Sequence, residues 1–212
     1  MPSATARGAV RARRQPRQPI DARRQQVLDA ALRLISEHGY GAATMEAIAR
    51  EAKLAKPVVY KAYPGRGALL TALLEREERI GLAAVAAALP DLGAGTDLET
   101  TLVQAVNRFL SAVTEHPVTW RLMLLPADET PDEVRQHVDA GRAFALERIR
   151  TVLRLGLPHQ PSPETFDLEL ATRSLLALGE QAAKLVLADP EQFTPERYAR
   201  YARQLLKALA VK

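Results

Sequence analysis

The sequence contains no cysteine, which excludes disulfides, thiolate nucleophiles and cysteine-ligated zinc sites together. Long apolar runs are also missing, because the longest one, residues 80–90, is far shorter than a membrane span. The basic N-terminus is not followed by the apolar segment of a secretory signal. These absences predict a cytoplasmic protein without a membrane partner.

Motifs that carry chemistry are equally scarce. The 4 histidines are scattered and lack a metal-binding spacing. No nucleophile elbow surrounds a serine, and no glycine-rich loop has the spacing that cradles phosphates. We therefore expect neither a metal nor another cofactor, and we expect that the protein is not an enzyme.

The net charge of +4 is divided unevenly along the chain. Residues 1–70 contain 13 Lys and Arg against 5 Asp and Glu, whereas the remaining residues contain 16 against 20. A basic front of +8 and an acidic rear of −4 indicate that the front contacts a polyanion such as nucleic acid. A chance distribution of solvated charges is the alternative.

Residues 1–19 are rich in arginine and proline and contain no acidic residue. This composition predicts a flexible basic arm rather than a packed element. Arginines in such an arm, here Arg13, Arg14 and Arg17, can contact DNA phosphates or enter a minor groove. A solubilising tail without contacts is the alternative.

The chain after the arm contains the start and stop signals of three helices. Asp21 is a candidate N-cap for the first helix, and Gly39 is placed to end it. Thr44 is a candidate cap for the second helix. A third helix is predicted to begin near Lys56 or Pro57.

The rest of the chain has helical periodicity, with breaks at prolines. A long helix is predicted from Arg66 to Ala88. Prolines suited to a first helical turn predict further helices over residues 131–155, 163–187 and 195–209. Because no alternating strand pattern is present, the predicted fold class is all-α: a three-helix unit followed by a helical bundle.

Two short helices joined by a tight turn are typical of a helix-turn-helix unit. On the second of these helices, Val59, Ala62 and Tyr63 share a face that is predicted to pack on the first two helices of the unit. Another face carries Lys56, Pro57, Tyr60 and Lys61. Its cations and phenol suit an anionic groove, which predicts that this face points outward.

One set of small, large apolar, turn and aromatic residues has a characteristic spacing in this unit. Its members are Ala30, Ala31, Gly39, Tyr40, Thr44, Ile48, Ala49, Ala52, Tyr60, Tyr63, Leu69 and Leu70. With this set, residues 23–70 resemble the DNA-binding domain of the TetR family of transcriptional repressors, without a gap over about 48 positions. The remaining chain resembles the family only in length and helical content. The implied domains are a helix-turn-helix DNA-binding domain at 20–65 and a helical effector-binding and dimerisation domain at 66–212.

The resemblance implies DNA contacts at Thr44, Ala55, Lys56, Pro57, Val58, Tyr60, Lys61 and Arg66. The Thr44 hydroxyl would contact a phosphate, and residues 56–58 would approach base edges. Tyr60, Lys61 and Arg66 would contact phosphates beside the groove.

Several positions depart from the family pattern, among them Gly67, which stands where an acid is common. Lys53 stands where a turn glycine is usual, so either the turn avoids a positive φ or it carries strain of about 1 kcal/mol. Ala55 stands where serine or threonine usually caps the recognition helix, which costs about 0.5–2 kcal/mol of helix stability.

The resemblance implies two functions for the rear domain. The first is formation of a homodimer, since operators read by such domains are two-fold symmetric, with candidate contacts at Leu175, Leu176, Leu178, Ala182 and Ala183. The second is binding of a small apolar or amphipathic effector, with candidate lining residues Phe109, Trp120, Met123 and Phe144. For both sets, packing in the subunit's own core is the alternative.

We therefore predict a ligand-responsive, sequence-specific transcriptional regulator. It would be a repressor that a small-molecule effector releases from a palindromic operator in double-stranded DNA. Two other classes stay open: a non-specific architectural DNA-binding protein, and a helical-bundle ligand carrier or enzyme whose basic front has no function.

Overall fold

The computed structural model describes residues 19–89, 97–125, 132–156 and 166–210. These residues form nine α-helices and one 3-10 turn, with no strand among them. The predicted all-α class is confirmed. No helix within the described ranges is long and apolar enough to cross a bilayer. The predicted arm lies outside them, apart from its last residue.

The helices are numbered in chain order. They are α1 Ile20–His38, α2 Met45–Glu51, α3 Lys56–Ala62, α4 Arg66–Ala88, α5 Leu98–Glu115, α6 Pro117–Leu124, α7 Asp132–Gly156, α8 Leu168–Ala188 and α9 Pro195–Ala210. The 3-10 turn, Tyr40–Ala42, lies between α1 and α2.

The ends of the front helices follow local sequence chemistry. Gly39 ends α1 with a φ of 78°, and its N–H donates to the Ile35 carbonyl at 2.9 Å. The Thr44 Oγ1 atom caps α2 by accepting the Ala47 N–H at 3.1 Å. The prediction for Asp21 was wrong, because α1 begins at Ile20 and places this residue in its first turn.

The start of α8 also differs from the sequence-based prediction. Pro163 lies outside the described residues, and the helix begins at Leu168. Its cap is Asp167, whose carboxylate accepts the Leu170 N–H at 2.9 Å. A side-chain cap therefore decides this helix start, where the prediction had relied on a proline.

The front helices share one core with the first half of α4. Its fully buried members include Ile48 on α2, Val59 on α3 and Leu69 on α4. The same cluster reaches Leu122 on α6 and Val134 on α7. Because one apolar cluster spans both parts of the chain, the front unit is seated directly on the helical bundle.

The bundle has its own two apolar clusters. In one, Leu110 and Val113 of α5 pack with Ala183 of α8. In the other, Val152 and Leu153 of α7 pack beneath the end of α4. The first of these clusters also contains Trp120 and Leu124 of α6.

The turn between α2 and α3 contains a lysine in the left-handed backbone region, Lys53 at φ 54°. The Leu54 N–H donates to the Ala49 carbonyl at 2.9 Å, and the Lys53 N–H donates to the Arg50 carbonyl at 3.1 Å. This pair of bonds is a Schellman motif, whose left-handed position glycine usually occupies. Of the two readings that the sequence left open, the turn has the positive φ.

We expect Lys53→Gly to raise the free energy of unfolding by about 0.5–1 kcal/mol, because glycine adopts this φ without a Cβ clash. Urea denaturation followed by circular dichroism measures the change. Lys53→Ala is the control, since it removes the same charge and keeps the Cβ atom. Equal stabilisation by both variants would show that charge, and not backbone strain, is the cause.

Candidate nucleic-acid interface

The short helix α3 is held to the front unit along one side. Val59 is fully buried and Tyr63 nearly so, while Ala62 packs at the edge of the same core. This is the face that the sequence pattern predicted to pack inward.

The opposite side of α3 is open to solvent. Lys56, Pro57 and Lys61 are exposed, and the Tyr60 side chain is 46% exposed. A large aromatic residue left this open on a surface with two lysines has no packing role of its own. The structure thus brings four of the predicted DNA-contacting residues together on one outward surface.

Two side chains of α1 bind the carboxyl ends of the helix-turn-helix. Gln26 donates to the Ala52 carbonyl at 2.8 Å, just beyond α2. The Arg24 Nε atom donates to the Ala62 carbonyl at 3.3 Å, and its guanidinium lies 5.3 Å from the centre of the Tyr63 ring. These bonds satisfy carbonyls that helix ends leave free and fix both short helices against α1.

Arg66 begins α4 and is turned back toward the front unit. Its Nη2 atom donates to the Tyr40 carbonyl at 2.7 Å, and its Nε atom donates to the Ala43 carbonyl at 3.0 Å. The family resemblance implied a phosphate contact for Arg66. It gave no indication of these hydrogen bonds to backbone carbonyls. In the free protein the guanidinium therefore ties the turn before α2 to the start of α4.

The remaining predicted contacts lie around the amino ends of α2 and α3. Thr44 is exposed, and its oxygen already serves as the cap of α2. Ala55 is extended and precedes α3 without a side-chain cap, as its sequence predicts. Val58 is half-buried at the edge of the outward face. The arm arginines Arg13, Arg14 and Arg17 lie outside the described residues.

The sequence analysis missed an acidic residue on this surface. Glu46, in the first turn of α2, accepts a hydrogen bond from the Lys56 Nζ atom at 3.0 Å. This bond is the main reason that the pKa of the Glu46 carboxyl lies below its usual value. Spacing along the chain gives no signal for this pair, since it joins two helices across a turn.

Behind the front unit, a cavity of about 80 Å³ lies among α4 to α8. Of the candidate effector-binding residues, Phe109, Trp120 and Met123 line it, and the rings of Phe109 and Trp120 meet edge to face at 5.1 Å. Phe144 is absent from its lining and is 36% exposed. A Cβ atom at Gly81 would stand 2.9 Å from the Met123 sulfur, so α4 and α6 approach each other closely at the cavity wall.

Four charged or titratable residues also line this cavity, and the sequence analysis identified none of them. Arg142 forms a two-bond pair with Glu180, at 2.7 and 3.2 Å, which raises the pKa of the arginine. His137 Nε2 lies 3.5 Å from a Glu78 oxygen. An amphipathic molecule would therefore meet both an apolar wall and a charged rim.

A buried carboxylate connects the cavity's surroundings to the front unit. Glu77 on α4 is 1% exposed and accepts the Thr119 hydroxyl at 2.5 Å and the Arg76 Nε at 2.8 Å. Arg76 continues to Asp29 on α1 at 2.6 Å and to Gln25 at 3.1 Å. Thr119 precedes Trp120, so the chain of bonds runs from the cavity wall to α1.

The residues predicted to contact a second copy have different positions on α8. Leu178 is 61% exposed, while Leu175 and Leu176 are half-buried beside the α7 cluster. Ala183 has no exposed surface and Ala182 is 8% exposed. These two alanines pack in the subunit's own core, so the alternative that the sequence left open applies to them.

A seven-residue helix that presents cations and a phenol outward, joined by a tight turn to a second short helix, defines a helix-turn-helix protein of the DNA-binding class. The family model for bacterial regulatory proteins of the tetR family matches residues 27–73. The model for the tetracyclin repressor-like C-terminal domain matches residues 98–211. The chain belongs to the TetR family, which confirms the resemblance seen in the sequence.

Individual relatives agree with this assignment. A curated helix-turn-helix transcriptional regulator of Mycobacterium bovis is 31% identical over 131 residues, which span 60% of this chain and 60% of that relative. A TetR-like regulator from Rhodococcus sp. RHA1 has a TM-score of 0.70 at 28% identity, covering 94% of this chain and all of the other. These relatives are transcriptional regulators, which confirms the prediction that the protein is not an enzyme.

One solved structure of the same fold holds a ligand. FadR from Bacillus subtilis in complex with stearoyl-CoA has a TM-score of 0.66 at 16% identity, and the match covers 86% of this chain and 96% of that one. At this identity the likeness shows the fold alone.

We expect Arg66→Lys to lower the free energy of unfolding by about 1 kcal/mol, because an ammonium cannot donate to two carbonyls with the geometry of a guanidinium. The variant keeps the positive charge, so any phosphate contact at this position is retained. Urea denaturation measures the stability, and Arg66→Ala shows the effect of losing both bonds and charge. Unchanged stability in both variants would contradict the proposed role of the two backbone bonds.

Proposed function

We propose that the protein is a sequence-specific transcriptional regulator that acts as a homodimer on a palindromic operator and responds to a small apolar or amphipathic effector. Its DNA partner would place it in the cytoplasm. Repression with release by the effector is the mode that the family resemblance favours.

The outward face of α3 carries this proposal. Lys56, Tyr60 and Lys61 offer ammonium groups and a phenolic hydroxyl on one exposed face, and the exposed Thr44 precedes α2. Phosphates and base edges are the groups that such donors bind in a major groove. A ligand carrier or an enzyme would not require an exposed cationic face of this kind.

The exposed apolar residues on the last two helices support pairing of two copies. Leu170 and Leu178 on α8 are both more than half exposed, as is Tyr201 on α9, and Leu205 is 39% exposed. TetR regulators act as dimers, and a two-fold axis relating two α3 helices requires a palindromic site. Of the five contacts predicted from sequence, Leu178 suits this role best.

Selection of DNA from a random pool tests the proposal directly. We expect enriched sequences to be inverted repeats whose half-sites are separated by about one or more helical turns. Changing Tyr60→Phe together with Lys61→Gln should weaken binding to the selected duplex by at least tenfold, because phosphate contacts are lost on both subunits. Fluorescence anisotropy at fixed salt measures this affinity.

Arg108→Ala on α5 provides the matched control, since this residue is exposed and lies far along the chain from α3. It should leave the affinity for the selected duplex unchanged. Failure to enrich any sequence, with equal affinity for all duplexes, would instead favour the architectural DNA-binding protein. Complete absence of DNA binding would favour the ligand carrier.

The cavity beside Trp120 is the proposed effector site. Its volume, about 80 Å³, is below the 300 Å³ or more of a typical ligand pocket, so an effector must widen it. Met123, a flexible side chain at the cavity wall, can move at low cost. The apolar lining with Arg142 at its rim suits an acyl chain with an anionic group, and the stearoyl-CoA complex of FadR makes that compound a reasonable probe.

We propose that the effector acts on DNA binding through the buried carboxylate of Glu77. Widening the cavity displaces α6, and Thr119 lies on α6 next to Trp120. Glu77 would then lose a hydrogen bond inside the protein, where an unsatisfied carboxylate is costly. The protein would respond by shifting Arg76 and α1, which carries the contacts that orient α3.

We expect Thr119→Val to lower the free energy of unfolding by about 1–3 kcal/mol, because a buried carboxylate loses a donor. It should also reduce the effect of stearoyl-CoA on operator affinity by at least threefold. Urea denaturation and an anisotropy titration with the ligand measure the two effects.

Thr172→Val is the matched control for this threonine, because both residues are buried. The Thr172 hydroxyl donates to the Leu168 carbonyl within α8, whereas that of Thr119 donates to Glu77. We expect the control to change neither the ligand response nor the stability by a comparable amount. A Thr119 variant that is less stable but keeps the full ligand response would show that the network is structural only.

A further inference from the structure

The second residue of α2 is acidic although it borders a surface that would face DNA phosphates. Glu46 lies two positions after the capping Thr44, and its side chain is exposed. An acid in a first helical turn stabilises the helix through the dipole, which is a sufficient reason for a glutamate here in most proteins. In this protein, however, the carboxylate does not simply point into solvent.

The carboxylate reaches from α2 to the first residue of α3. Its Oε1 atom lies 3.0 Å from the Lys56 Nζ atom, and both side chains are more than half exposed. The lysine is the first outward cation of the recognition helix. In the free protein its ammonium is therefore held by the chain itself.

Neighbouring lysines are not restrained in this way. Lys53 in the turn and Lys61 at the end of α3 are exposed, and neither forms an ion pair with the part of the chain that the structure describes. A phosphate would find these two ammonium groups available. At Lys56 it meets an ammonium whose charge is already balanced by a carboxylate.

We propose that Glu46 is a specificity-determining residue of the DNA-reading surface, which prevents Lys56 from binding arbitrary phosphates. This inference deepens the proposed function and rests on it. Contacts to phosphates add affinity for every sequence, whereas contacts to base acceptors add affinity for one. Restraint of Lys56 thus lowers the affinity for non-specific DNA more than the affinity for the operator. The ratio of specific to non-specific affinity therefore rises.

The paired carboxylate opposes the charge–charge attraction to a phosphate more than it opposes hydrogen bonds to neutral base acceptors. A guanine presents two acceptors, O6 and N7, in the major groove, and a lysine ammonium has three donors. At such a base Lys56 can exchange its single carboxylate partner for two acceptors. At a phosphate it exchanges one anion for another, and Glu46 is left beside the negatively charged backbone.

Glu46→Gln tests this proposal with two probes, the duplex selected from the random pool and a scrambled duplex of equal length. We expect affinity for the scrambled duplex to rise about three- to tenfold. The plot of log affinity against log salt for that duplex should steepen by about 1.8, the value for two additional phosphate contacts, one from each subunit of the dimer. Affinity for the selected duplex should rise less, so the specificity ratio falls.

Two further variants separate this mechanism from a general effect of charge. Glu51→Gln removes the same charge from the same helix and releases Arg33 instead, whose Nε lies 2.8 Å from Glu51. It should leave the specificity ratio unchanged. In a Lys56→Gln background, Glu46→Gln should no longer steepen the salt dependence. Equal effects of the two glutamate changes, or an effect that persists without the lysine, would overturn the proposal.

The same measurements distinguish failure of this inference from failure of the proposed function. If the Tyr60 and Lys61 changes abolish binding while Glu46→Gln and Lys56→Gln leave both affinities unchanged, the protein reads DNA through α3 and the inference is wrong. If no change on α3 affects binding, the interface itself is wrong and both proposals are overturned. Circular dichroism confirms that each variant is folded.

Discussion

The DNA-reading surface depends on tertiary contacts, because α3 cannot maintain its own shape. It has seven residues, no side-chain cap at Ala55 and a proline in its first turn. An isolated helix of this length is unstable in water, since too few hydrogen bonds offset the cost of nucleation. Its conformation is set by the burial of Val59 and Tyr63 and by the Arg24 bonds at its end. The position of the exposed lysines is thus a property of the whole front unit.

The same dependence makes the front unit responsive to the bundle behind it. The core that buries Val59 continues to Leu122 on α6 and Val134 on α7. Beside it, Glu77 places a carboxylate almost completely out of water. A buried charge is stable only when it is paired and hydrogen-bonded. Thr119 and Arg76 therefore cannot move gradually away from Glu77 without a large cost in free energy. Coupling between the two units is therefore expected to involve distinct packing arrangements.

The sequence predicted those features that depend on neighbours along the chain. Gly39 and Thr44 act at helix ends through local bonds, and the two faces of α3 follow from helical spacing. Glu77 also had a local signal, because it falls four residues after Leu73 on the buried face of α4. A charged residue in that phase predicts a buried polar network, although its partners cannot be read from spacing.

Other features depend on which element lies opposite, and the sequence does not contain that information locally. The apolar face of α8 has the same pattern whether it packs on its own subunit or on another copy, and the structure buries Ala182 and Ala183 internally. Phe144 has a helical phase that suits either the cavity or the surface, and it lies partly exposed. The pair between Glu46 and Lys56 is visible only once α2 and α3 are docked.

The front unit is basic overall, yet several of its cations are occupied by groups of the same chain. Arg66 and Arg24 donate to backbone carbonyls, and Lys56 to a carboxylate, whereas Lys61 and the turn lysine form no ion pair within the described part of the chain. A regulator must leave non-specific DNA, which exceeds its operator in a genome by many orders of magnitude. A count of basic residues in the sequence therefore does not show how many of them can bind DNA, and under the proposal above the pair between Glu46 and Lys56 limits non-specific affinity.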